Sequence, residues 1–404
     1  MLHIFLDALT LQAGYNSALV AIGAALLGFS AGGVGTFIFL RKRALVSDAV
    51  AHATLPGVGI AFIVMVAFGG SGRYLPGLLL GSAASAWIGL LLVEWVARKT
   101  RLSEDAAIGA VLSVFFGFGI VLLTIIQTMS SGQQAGLSSF LLGSTAGMLF
   151  NEALIIALSG AIAAILVFVL RRPMTLAAFD PEYAVTTGID IRRTDLAMMG
   201  LALIVTVIGL KIVGLILIVA MLIIPSVAAR FWTNRTDHLI LIAAIIGGCS
   251  GYVGAALSTA AEKLPTGPII VLISFVAFVI SLLFSPVRGV LASALRNWRF
   301  QHRVHLRQGL LALAREERIY DRLTLSVLRR AGYIRRDGVA TINGRGAAAK
   351  ALRDEKRWEL ARRVNESETV MTSYDGLTPI ENVLTPDEIA DLDRQIGEPV
   401  GVPG

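Results

Sequence analysis

Residues 44–67 read ALVSDAVAHATLPGVGIAFIVMVA. A run of this length, apolar but for a few positions, can cross a bilayer as one helix, for which about 20 residues suffice. Yet it carries two ionisable groups, Asp48 and His52. Four positions apart, they project from one helical face. Ionisable groups inside a span are costly and as a rule face a cavity or a partner.

The rest of the chain puts that stretch in a membrane. Hydrophobic residues make up 55% of the 404, and the mean hydropathy of +0.73 lies well above a globular norm. Charge divides the chain: residues 1–290 hold 16 Lys+Arg and 12 Asp+Glu, and the last 114 residues hold 19 and 16. This predicts an all-α polytopic membrane domain over 1–290 and a small soluble α(+β) appendix over 291–404. The net charge of +7 requires no nucleic acid, because cytoplasmic loops of membrane proteins collect Lys and Arg. The single cysteine, Cys249, excludes an internal disulfide and a multi-cysteine metal cluster. The opening MLHIFLDALTLQ lacks the basic start and the cleavage site of a signal peptide, so none is expected.

Apolar runs fall near 17–40, 44–67, 76–97, 106–129, 138–171, 194–210, 212–232, 238–260 and 265–285. Residues 138–171 exceed one straight helix, and Gly143, Gly147 and Asn151 suggest a break there. Lys211 alone separates 194–210 from 212–232. The expectation is eight to ten spans, with nine preferred. Arg41-Lys42-Arg43, Arg98-Lys99-Arg101, Arg171-Arg172 with Arg192-Arg193, and Arg230 with Arg235 recur two spans apart. The positive-inside rule places them all in the cytoplasm, with the N-terminus outside and the tail inside.

Two readings fit Asp48 and His52. They form a mutual or interfacial pair, with Arg43 five residues before Asp48, or they are ligands, since carboxylate and neutral imidazole suit Mn²⁺, Fe²⁺ and Zn²⁺. Pro56-Gly57 allows a broken helix beside them, as a site in protein-lined space would use. Glu104 and Asp105 read as the acidic first turn of a helix capped by Ser103. Glu94 and Arg98 read as an i,i+4 pair. In the polar loop 177–195, Asp180 caps a short helix with Pro181 at its first position, and Gly188 ends it. No G-x-x-x-x-G-K-[ST] occurs in the sequence, so any ATP-driven motor belongs to another polypeptide.

LVSDAVAHATLPGV (45–58), SEDAAIG (103–109), SSFLLGS (138–144), FDPEYAVTTGI (179–189) and KIVGLILIVAMLIIPSVAA (211–229) occur in that order. Together they resemble the integral permease subunits of bacterial ABC importers for manganese, zinc and iron, across about residues 15–287. A more distant likeness to the cobalamin and siderophore permeases implies the type II importer architecture. The resemblance implies that Asp48 and His52 line the metal passage. It implies that Asp180, Pro181, Glu182, Ala184 and Gly188 belong to a coupling helix on a cytoplasmic ABC ATPase. It further implies an extracytoplasmic metal-binding protein, and a homodimer or a heterodimer with a second permease, in the bacterial inner membrane. No cofactor is expected to stay bound; the metal is cargo.

The tail resembles diphtheria-toxin-repressor-type regulators: a winged helix over about 303–350, then dimerisation-like helices over about 351–404. It departs from them at Lys356 and Asn382, where the family has histidines, and in the short stretch between Arg315 and Leu325; nucleic-acid binding is not expected. Permeases with such a tail look like the manganese and iron type, so Mn²⁺ or Fe²⁺ is expected ahead of Zn²⁺. The alternatives are a membrane-anchored metal-responsive regulator and a secondary transporter working without ATP.

Overall fold

A computed structural model describes residues 2–70, 72, 74–129, 150–212, 214–260, 265–364 and 374–396. The described chain divides into two compact units, Met1–Ala292 and Ser293–Gly404.

The first unit is helical. After a short α1 (Leu2–Leu9) come α2 (Tyr15–Leu40), α3 (Ala44–Ala67), α4 (Leu75–Lys99), α5 (Glu104–Thr128), α6 (Phe150–Phe179), the six-residue α7 (Pro181–Thr186), α8 (Ile191–Ile212), α9 (Leu215–Trp232), α10 (Thr236–Ala260) and α11 (Thr266–Phe284). Eight of the described helices are long and apolar enough to cross a membrane. Nine was the preferred count, and α9 makes the difference. Gly214, at φ 86°, turns the chain directly out of α8. The 18 residues of α9 then rise about 27 Å, near the lower end of what crosses a bilayer.

The break expected within 138–171 falls at the edge of the described residues: α6 begins at Phe150, with Asn151 in its first turn, and Gly143, Gly147 and the SSFLLGS segment lie outside the described residues. The break allowed at Pro56 does not occur, because α3 continues through it. The proline has no N–H for the His52 carbonyl four residues back, but neighbouring helices hold the turn. Ser85 on α4 donates a hydrogen bond to the Ala53 carbonyl at 2.7 Å. Gly57 lets α4 close in, since a Cβ there would overlap the Gly81 carbonyl.

α2 is the central helix, packed on α10, α6 and α9. Its seam with α10 depends on glycine. A Cβ at Gly28 would strike the Gly247 carbonyl, and one at Gly247 the Gly28 carbonyl. Without a solvophobic force between helices in lipid, such close backbone approach supplies the van der Waals contact. α3, α4 and α5 form a second layer, with α8 against both. The outside is apolar: Leu80, Val114, Phe168, Leu272 and Phe284 are all more than half exposed. A surface of that kind belongs against hydrocarbon.

The second unit carries most of α12 (Val290–Ala314), then α13 (Arg322–Arg330), α14 (Ile342–Val364) and α15 (Pro386–Ile396). Among the described residues it has no strand, only an isolated antiparallel bridge between Ile334 and Ala340, turning at Gly338 with φ 87°. Its core gathers Trp358, Ala361, Ile380, Leu384 and Leu392. Half-buried and buried acids meet internal cations: Arg307 reaches Asp354 and Glu355, each at 2.9 Å, and Arg357 holds Asp393 at 2.5 Å.

Candidate functional site

Asp48 and His52 stand on the second and third turns of α3, about 6 and 12 Å along its axis from Ala44. His52 Nε2 lies 3.5 Å from Asp48 Oδ1, too far for a short hydrogen bond. The imidazole meets the Phe116 ring of α5 edge-on, with centroids 5.0 Å apart. Its Nδ1 is buried without a hydrogen-bond partner. Among the described residues the pair's one ionic contact is with itself.

Arg43, five residues before Asp48, pairs elsewhere. Arg43 Nε binds Glu104 at 2.8 Å and its Nη1 binds Asp195 at 3.1 Å. Arg41 grips the same Asp195 with two nitrogens, each at 3.0 Å, and donates to the Ala177 carbonyl at 2.8 Å. Glu94 pairs with Arg98 at 3.0 Å, as the i,i+4 spacing predicts, and with Arg192 on α8 at 3.2 Å. The arginine-rich end of the bundle is thus laced by ion pairs joining the α2–α3 turn, α4, α5 and α8. Asp48 is left outside that lattice.

The rest of the α3 face continues the line of the pair. Leu45, Ile60 and Val64 are exposed, Asp48 is half-open and the His52 side chain is 18% exposed, whereas the opposite positions from Val46 to Val58 are buried. A cavity of about 430 Å³ opens on this same side, lined by Pro56, Ile60 and Val64 with Ser85 and Phe118. So the two candidate ligands lie on a wall that a single chain leaves uncovered. Among the described residues no three His, Cys, Asp or Glu side chains converge, so one chain brings two protein side-chain ligands. Atoms 3.5 Å apart can both reach one ion at about 2.1 Å from each. The His52 carbonyl lacks its usual helical donor, because Pro56 has no N–H.

The sequence expectation for Asp180 to Gly188 has its counterpart in α7. The Asp180 carboxylate accepts from Tyr183 N at 3.0 Å, Pro181 opens the helix, and Gly188 closes it at φ 83°. Ala184 is fully buried, while Glu182, Tyr183 and Val185 are exposed. α7 is therefore anchored by one small residue and offers a mixed apolar and acidic surface. Ser103 caps α5 by accepting from Ala106 N at 3.3 Å. The additional role of Glu104, as a partner of Arg43, and the central role of Asp195 were missed. The only sequence signal is opposite charge at the ends of different spans, which does not say which ends meet.

A model of the ABC 3 transport family matches residues 15–285. The manganese transport system membrane protein MntC of Bacillus subtilis (strain 168) is 41% identical over 298 residues, covering 74% of this chain and 67% of that protein. The zinc transport system membrane protein TroC of Treponema pallidum (strain Nichols) is 37% identical over 280 residues, covering 69% of this chain and 92% of that protein. Among solved structures, PsaBC from Streptococcus pneumoniae in complex with Fab aligns with a TM-score of 0.62 at 27% identity. It covers 71% of this chain and 98% of that one.

Proposed function

Because this chain belongs to the ABC 3 transport family, we propose that it is the membrane permease of an ATP-driven importer for a divalent transition metal. It is not an enzyme; a separate ATPase subunit hydrolyses the ATP. Mn²⁺ or Fe²⁺ is the assigned cargo ahead of Zn²⁺, on the resemblance of the tail.

The observation that carries the site is the Asp48–His52 pair on the uncovered face of α3. A second permease chain facing that wall would enclose a path and bring its own ligands opposite, as homodimer or heterodimer. Two side chains per wall hold an ion briefly, and passage needs binding weak enough for release. The metal would arrive from an extracytoplasmic binding protein and leave at the arginine-rich end, taken as cytoplasmic by the positive-inside rule. α7 is the element proposed to dock on the ATPase, its exposed Tyr183 and Val185 supplying the apolar part of the contact.

The repressor-like tail is assigned an assembly role. Its acids Asp354, Glu355 and Asp393 are engaged by Arg307 and Arg357, which supports structure over metal sensing.

The test is metal accumulation in cells whose own copy is deleted and replaced by variants. Asp48→Ala and His52→Ala should each lower uptake about tenfold or more, the scale of disturbing a metal ligand or its support, at unchanged membrane insertion. Normal uptake in both would overturn the site assignment.

A further inference from the structure

Two cavities meet at the arginine-rich end of the bundle, on the α6–α10 side. The first, about 430 Å³, is an apolar cleft between α2, α6 and α10, lined by Phe29, Gly33, Ala164, Phe168, Leu241 and Ala244. Phe168 and Leu241 expose more than half of their surface there, so the cleft opens sideways, at the level of the spans. The second, about 640 Å³, runs along the last turns of α6 and the α9–α10 turn and is lined by Arg171, Arg172, Asn234, Arg235 and Thr236. Arg171 and Asp237 line both and join them into one trough.

The charges in this trough are unbalanced. Asp237 Oδ1 lies 3.6 Å from Arg171 Nε, and the Arg171 guanidinium rests 4.0 Å from the centre of the Phe168 ring. Arg172 and Arg235 are exposed and have no ionic partner among the described residues. Three guanidiniums therefore face one carboxylate, which leaves a cradle of positive charge at the foot of an apolar cleft. From Ala164 to Arg171 the α6 axis rises about 10 Å, a fair length of acyl chain.

We propose that this trough seats an anionic phospholipid, its phosphate between Arg172 and Arg235 and one acyl chain in the α2–α6–α10 cleft. A soluble anion would use the arginines and leave the cleft empty. A zwitterionic lipid would fill the cleft, but its cationic headgroup would not suit the basic cradle. Basic pockets between spans at the cytoplasmic side are recognised by anionic headgroups on this physical ground. Neither Asp48 nor His52 takes part, so the inference stands independently of the metal path. Bound lipid would tie α6 to α10 and so brace the chain segment that leads into α7.

The test is native mass spectrometry of the full chain in mild detergent, titrated with phosphatidylglycerol, phosphatidylcholine of the same acyl chains, and inorganic phosphate. Phosphatidylglycerol should bind about tenfold more tightly than phosphatidylcholine. The Arg172→Gln/Arg235→Gln pair should abolish that preference, at about a factor of five per arginine lost. Ala164→Phe, which fills the cleft, should weaken both lipids. Asp237→Asn removes the competing carboxylate and should tighten phosphatidylglycerol binding severalfold, a gain that misfolding cannot mimic. Equal binding of the two lipids, or an unchanged preference in the arginine pair, overturns the proposal. So does displacement of phosphatidylglycerol by equimolar phosphate, which marks a simple anion site. If the arginine pair instead splits a dimer of this chain without changing lipid binding, the trough is a protein interface and the proposal fails.

Discussion

At the scale of residues, His52 is the group whose surroundings set the chemistry. Its Nε2 points to Asp48 at 3.5 Å, its Nδ1 finds no partner, and Phe116 limits its rotation. Proline four residues later adds a carbonyl released from the helical ladder, a costly arrangement that ordinarily takes about 3 kcal/mol from a helix interior. Pro56→Ala separates stability from transport. It should raise the thermal stability of the protein, because it restores the N–H that the His52 carbonyl lacks. It should also lower metal uptake, because that carbonyl returns to the ladder. A melting curve and an uptake assay on one preparation check both halves. A stabilised variant with full uptake would show that the carbonyl plays no part in passage.

Among elements, the seam of α2 on α10 and the short α7 carry different burdens. Gly28 and Gly247 let backbones touch where any Cβ would overlap a carbonyl. Gly28→Val should therefore destabilise the membrane unit by about 3 kcal/mol or more, at the upper end of overpacking costs, seen as a lowered melting temperature in detergent. α7 has only six residues and depends on its Asp180 cap. Asp180→Ala should cost about 1 kcal/mol locally, too little to unfold the bundle but enough to fray a docking helix. Val185→Glu adds charge to the exposed face without touching the cap. Both should leave the amount of inserted permease unchanged, while reducing the ATPase that co-purifies with it.

On the scale of the whole molecule, ion pairs between distant stretches hold the ends of elements together. Arg41 to Asp195 spans 154 positions of sequence, and Asp195 is nearly buried. Arg41→Gln leaves that carboxylate with Arg43 alone and should destabilise the membrane unit by about 2 kcal/mol. In the tail unit, the Arg357 guanidinium holds the Asp393 carboxyl below its ordinary range, against the effect of burial. Burial raises the Glu355 carboxyl, but the Arg307 guanidinium and the Tyr374 hydroxyl outweigh it and leave it lowered. Depressed carboxylates stabilise the fold above their ordinary range of about pH 4 and lose that contribution as pH falls through the folded values. Acid should therefore loosen the tail below about pH 4, visible as rapid pepsin cleavage within 293–404. Arg357→Ala should move that onset to higher pH.

How much of this was legible beforehand follows from the range of the forces involved. Sequence alone determined most of the spans, the Ser103 cap and acidic first turn of α5, the Asp180–Gly188 helix and the shared face of Asp48 and His52. Each depends on hydropathy or spacing within a few turns, where the chain's own periodicity dictates geometry. Only the tertiary structure decided that α3 runs straight through Pro56, because Ser85 and Gly81 on another helix steady that turn. Only it decided that Arg43 belongs to Asp195 and Glu104 rather than to Asp48, since charge carries no address until distant ends are packed together. The α8–α9 junction lies a few residues beyond the Lys211 that marks it in the sequence, because the positive φ at Gly214 that turns the chain is invisible to hydropathy. And that the candidate pair lies on an uncovered wall depends on which faces the neighbouring helices occupy, which is a property of packing and not of any segment.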